Sequence, residues 1–137
     1  MPVFVDTSAL YAVLDADDDN HPPAAAEWRR LLLSASTVVS TNYVLVETAA
    51  LLQHRLGLEA VRLFQQDVCP ILGVEWVDQV MHAAGMSAVL AAGRRALSLV
   101  DCVSFATMND LGIRDVFAFD RHFADQGFAC LPATTPL

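Results

Sequence analysis

Residues 3–10 read VFVDTSAL. Three apolar residues run directly into Asp6, and Thr7 and Ser8 then open a second apolar stretch that continues to Leu14. An apolar triplet of this kind reads as a short strand. An acid followed by hydroxyl residues suits the start of a helix, because its side chain can accept from the first free backbone N–H groups. Strand, acid, helix is the local grammar of an α/β protein, in which ligands gather beyond the C-terminal ends of the strands.

Working outward, the pattern repeats. Asp15 to Asn20, DADDDN, reads as a loop, and Pro22 and Pro23 fit the first turn of a helix running through Trp28 to about Leu33. Thr37 to Ser40 predicts a second strand. Asn42 to Arg55 predicts a helix, with Val46, Ala49, Ala50 and Gln53 at helical spacing and Gly57 as its stop. A further helix is expected over Leu58 to Val68, a strand over Gly73 to Val77 and a helix over Asp78 to Ala92. Gly93-Arg94-Arg95 interrupts the chain, and Ser98 then starts a helix that Gly112 closes. Val116 to Phe119 predicts a strand ending at Asp120, and Phe128 to Leu131 a last short one. Strands alternating with helices predict a single α/β domain over residues 1–137 around a mainly parallel sheet.

Composition narrows the function. The chain has 137 residues, 55% of them hydrophobic, with a mean hydropathy of +0.42, which supplies a core readily. No uncharged apolar run reaches the roughly 18 to 20 residues of a membrane span. The apolar N-terminus carries Asp6 and lacks a basic leader, so a soluble, cytoplasmic protein is expected. Cys69, Cys102 and Cys130 are far apart and suggest neither a disulfide frame nor a zinc site. Net charge is −8, from 16 acidic and 8 basic residues, and every basic residue is arginine. The lack of lysine excludes a Walker A loop and Schiff-base chemistry. The acidic balance argues against coating DNA, which needs many phosphates neutralised. A nucleic-acid enzyme is compatible only with acids clustered under metal ions.

Four acids have the placement for such a cluster. Asp6 and Asp120 each follow an apolar run, while Glu47 and Asp101 lie in helices among apolar neighbours, VLVET and LVDCV. Each has an ordinary explanation. Asp6 would cap a helix, Asp101 would complete a capping box with Ser98, Glu47 would face solvent and Asp120 would start a turn. Those explanations leave the combination unaccounted for. Four carboxylates in one pocket repel one another unless divalent cations intervene, and oxygen donors select Mg²⁺ or Mn²⁺.

The segments VDTSAL, TNYVLVET, SLVDCVSFA and FAFDRHF resemble, in order, the successive acidic motifs of PIN-domain ribonucleases, and they span nearly the whole chain. The short chain and the DxxSFA and FDxxF forms are most similar to the VapC-like toxins. The resemblance implies a PIN-like three-layer α/β/α sandwich. It implies an Mg²⁺- or Mn²⁺-dependent endoribonuclease that hydrolyses RNA phosphodiesters with metal-activated water. Asp6 and Asp101 would be the principal metal ligands, with Asp120 and Glu47 completing the shell directly or through water. Thr7, Ser8 and Ser104 match the family's hydroxyl positions and, with Arg121 beside Asp120, are candidates to bind substrate. The implied partners are an RNA substrate, a second copy of the chain and a small cognate antitoxin, seated in a groove along residues 22–33 and 42–56. His122 is expected to be structural or at the surface, Arg94 and Arg95 solvated, and residues 15–19 a solvated loop without the glycine and glutamate of a calcium loop. Two alternatives stand beside this reading. One is a PIN nuclease of RNA processing outside any toxin–antitoxin pair. The other is a haloacid-dehalogenase-like phosphatase, which wants an Asp where Ser8 stands and a lysine the chain lacks.

Overall fold

Strand β1 (Val3–Val5) lies at the centre of a five-stranded, wholly parallel sheet in the computed structural model, which describes residues 1–133. β2 (Val38–Thr41) and β3 (Gly73–Glu75) extend the sheet on one side of β1; β4 (Asp115–Phe117) and β5 (Ala129–Leu131) extend it on the other. The order is therefore β3-β2-β1-β4-β5, and the winding direction reverses between β1 and β4. A crevice opens at such a reversal, beyond the strand ends. Among the described residues seven α-helices flank the sheet to complete a three-layer α/β/α sandwich: α1 (Thr7–Leu14), α2 (His21–Leu33), α3 (Asn42–Arg55), α4 (Leu58–Leu63), α5 (Gln79–Ala92), α6 (Leu99–Leu111) and α7 (His122–Asp125).

Burial fixes the register of the central strands. Phe4 and Val5 pair with Val116 and Phe117, and all four are fully inaccessible. At about 1.5–3 kcal/mol for each such side chain, a slip by one residue would forfeit most of that stabilisation. Trp28, from α2, stacks on Phe117 with ring centroids 6.5 Å apart, so it serves the core rather than a groove. Phe105, Phe123 and Phe128 form a second aromatic cluster, with Phe105 and Phe123 edge-to-face at 5.0 Å. Phe123 is fully buried and anchors α7 against α6.

Several elements end earlier than the sequence suggests. β4 stops at Phe117 rather than Phe119, because the Phe119 N–H leaves the ladder and donates to the Ser8 hydroxyl at 2.9 Å. β3 stops at Glu75 rather than Val77, whose N–H is taken by the Asn42 side chain at 2.7 Å. The helix expected over Leu58 to Val68 is α4 followed by a widened π turn over Phe64–Val68, whose two ends, Phe64 and Val68, are its buried residues. A short 3₁₀ turn over Cys69–Ile71 then carries Pro70, which has no N–H to extend the helix.

Candidate metal centre

Asp6 leaves β1 in extended conformation and caps α1. Its Oδ2 accepts from the Ser8 N–H at 3.1 Å and from the Ser8 hydroxyl at 2.7 Å. Ser8 also receives the Phe119 N–H, so one hydroxyl fastens the acid after β1 to the loop after β4. The Asp6 N–H donates to the Phe117 carbonyl at 3.0 Å, which draws the two strand ends together from the other side. Asp120 follows within that loop, three residues beyond β4 rather than directly at its end. Its Oδ1 accepts from the His122 N–H at 2.9 Å.

Asp101 stands in the first turn of α6. The Ser98 hydroxyl accepts from the Asp101 N–H at 3.0 Å and Asp101 Oδ2 accepts from the Ser98 N–H at 3.1 Å, a complete capping box. Capping and membership of the site are compatible, since a carboxylate has about four acceptor positions and the box uses one of them. Glu47, on α3, is the most open of the four acids.

The charges of Asp101 and Asp120 reach the carboxyls around them. Burial pushes Asp6 up to about 6, against its two hydrogen bonds from Ser8, and the charges of Asp101 and Asp120 raise it further. Asp101 is held above its ordinary range by burial first and by Asp120 among the charges, with Ser98 and His122 opposing. Glu47 is raised by desolvation and by the charges of Asp101 and Asp120, with the Thr7 hydroxyl opposing. Among the described residues no arginine comes within 4.0 Å of any of the four. An uncompensated, partly buried set of carboxylate oxygens fits a hard divalent cation.

Thr7 is buried; its Oγ1 receives the Thr48 hydroxyl at 3.1 Å and points toward the Val44 carbonyl, tying α1 to α3. Ser8 is engaged on both sides as described. Ser104 is fully buried, and its hydroxyl has no hydrogen-bond partner. None of the three offers a free group to a substrate in this conformation. Arg121 is exposed beside Asp120 and lines a hollow with Asn20, Pro23, Ala124 and Pro132. Arg94 and Arg95 are exposed.

The residue that sequence reasoning undervalued is His122. Its Nδ1 lies 3.1 Å from Asp120 Oδ1 and 3.6 Å from Asp101 Oδ2. The spacing Asp-x-His in a turn before an apolar anchor, Phe123, was the available signal.

Residues 3–129 match the PIN domain family. The chain belongs to that family. Among relatives of this PIN domain is the 23S rRNA-specific endonuclease VapC20 of Mycobacterium tuberculosis, 33% identical over 127 residues, which cover 92% of this chain and 95% of the relative. The crystal structure of VapC20, described as a Sarcin-Ricin loop cleaving toxin, superposes with a TM-score of 0.81 at 32% identity, covering 93% of this PIN domain and 96% of that chain. The likeness places the chain in the VapC-like branch. FitAcB from Neisseria gonorrhoeae shares the fold, with a TM-score of 0.67 at 16% identity over 95% of this chain and 96% of the other.

Proposed function

We propose that this single PIN domain is a metal-dependent endoribonuclease, and that it is the toxin of a toxin–antitoxin pair. The observation that carries the reading is the grouping of donor atoms of Asp101, Asp120 and His122 within 4.8 Å of one another, with Asp6 and Glu47 near enough to feel the charges of Asp101 and Asp120. The relation to VapC20 supports RNA as the substrate, and structured ribosomal RNA is the first to try. These four acids would hold Mg²⁺ or Mn²⁺. When bound, such an ion lowers the pKa of water and neutralises charge developing on a phosphate. The protein's own residues supply order. Ser8 and Ser98 fix the orientations of Asp6 and Asp101, Thr7 sets the entry of α1 beside α3, and Arg121 stands where it could fork onto a neighbouring phosphate. With a net charge of −8 the chain has little else with which to attract RNA.

For partners, we propose a homodimer and a small basic antitoxin, one of whose Arg or Lys side chains reaches the acidic pocket. Exposed Val46, at 69%, beside Glu47, and Trp76 and Val80, at 73% and 77%, support a protein-binding surface. Its proposed substrate puts its action in the cytoplasm. Among the described residues no helix is long and apolar enough to cross a membrane. A PIN nuclease acting outside such a pair would use the same site; the phosphatase alternative falls with the family assignment.

The purified chain should cut RNA with Mg²⁺ or Mn²⁺ and stop in EDTA. Asp6→Asn and Asp101→Asn should each lower the rate by at least about a hundredfold while preserving both caps, since Asn accepts like Asp at a cap. Full cleavage by Asp101→Asn, or in EDTA, overturns the assignment. Growth arrest on expression, relieved by the product of an adjacent upstream reading frame, tests the toxin role.

A further inference from the structure

Among the described residues His122 Nδ1 has no hydrogen-bond partner. The imidazole ring is only 14% exposed, and Nδ1 is buried without a hydrogen bond although Asp120 Oδ1 lies 3.1 Å away. The atom faces the carboxylate but stands out of line with it. The same Nδ1 is 3.6 Å from Asp101 Oδ2, and donor atoms of Asp101, Asp120 and His122 all lie within 4.8 Å of one another. Adjacent ligands around an octahedral ion at roughly 2.1 Å stand about 3 Å apart, and opposite ones about 4.2 Å. The 3.1 Å separation matches the adjacent spacing, and the 3.6 Å and under 4.8 Å separations are within small side-chain shifts of it. A ring that only braced Asp120 would be aligned to donate to it; this nitrogen lies near both carboxylates and is bonded to neither. Phe123, fully buried next in sequence, holds the turn that presents it.

We propose that His122 is a nitrogen ligand of the metal centre and biases it toward Mn²⁺ over Mg²⁺. The inference rests on the metal-dependent reading above and deepens it. The chemistry is a difference of degree, since both ions favour carboxylate oxygen. Mg²⁺ demands small octahedral geometry and keeps its waters, whereas Mn²⁺, a first-row transition ion, accepts one imidazole among oxygens more readily.

The test is binding rather than turnover. The full chain is loaded with Mn²⁺ and its pulsed-EPR spectrum is read for nitrogen modulation, in parallel with calorimetric titrations of Mn²⁺ and Mg²⁺. Wild type should show the modulation, and His122→Ala and the bulkier His122→Gln should lose it. Both variants should bind Mn²⁺ at least about tenfold more weakly, a loss as large as outer-shell changes cause. Their Mg²⁺ affinity should move by less than about threefold, because Mg²⁺ depends on the carboxylates. Mn²⁺ bound by wild type without nitrogen modulation, or modulation that persists in a variant, overturns this inference and leaves the metal-dependent nuclease standing. Wild type that binds neither ion overturns both.

Discussion

Asp6 caps α1, accepts two hydrogen bonds from Ser8 and faces two other acids while buried. The burial decides its titration. A carboxyl whose pKa is about 6 in the folded chain and 3.8 ordinarily binds its proton more tightly when folded. Its contribution to stability is therefore full below about pH 4 and is lost as pH rises through 6, on the order of 3 kcal/mol in all. In EDTA the protein should melt at a higher temperature at pH 5 than at pH 7.5, and Asp6→Asn should flatten most of that difference. A melting temperature that rises with pH over this range would refute the account. The four candidate acids stand out in the sequence, because an acid set among apolar residues needs a reason to be there. His122 was not legible, since its reason is the direction of a ring, and direction is set by a turn that stops β4 two residues early.

At the scale of elements, the placement of Asp101 depends on α6, and α6 depends on α5. Gly85 is the one buried residue of α5, and a Cβ there would stand 2.5 Å from Val103 Cγ2 and 3.1 Å from Leu99 Cδ1. Gly→Ala inside a helix ordinarily gains about 1 kcal/mol. Overpacking ordinarily costs about 1–3 kcal/mol, and a 2.5 Å approach lies well inside contact distance. Gly85→Ala should therefore destabilise by about 1–2 kcal/mol net and weaken metal binding by shifting the first turn of α6. Adding Val103→Ala removes the clashing methyl, so a double-mutant cycle by chemical denaturation should show positive coupling; simple additivity would mean that the helices do not meet in this way. The helices themselves were readable from their caps, Asp78, Ser98, Gly93 and Gly112. Strand ends were less so, because the strand-like runs VFAF and VEWV continue past them. What stops each strand is a side chain distant in sequence, Ser8 for β4 and Asn42 for β3, and neither is visible in a local pattern.

Over the whole molecule, a parallel sheet whose winding reverses between β1 and β4 brings residues 6 and 120 to one crevice. The carboxylates gathered there repel, and the chain carries sixteen acidic residues against eight arginines. Mn²⁺ should accordingly stabilise the fold itself. An ion at a hundred times its dissociation constant adds about 2.7 kcal/mol, several degrees in melting temperature for a domain of this size. The gain should be lost in Asp6→Asn/Asp101→Asn. An equal gain in that double variant would place the stabilising ion elsewhere.

The hydrogen bond from Phe119 to Ser8 joins positions 111 residues apart. During synthesis β1 leaves the ribosome first and keeps one edge open until β4 emerges to cover it. At about 5–20 residues per second, the interval is on the order of ten seconds. For that interval the nascent chain carries Asp6 without Asp120, and Glu47 and then Asp101 join it only as synthesis proceeds. A site assembled in this order is complete only when the last strands are free.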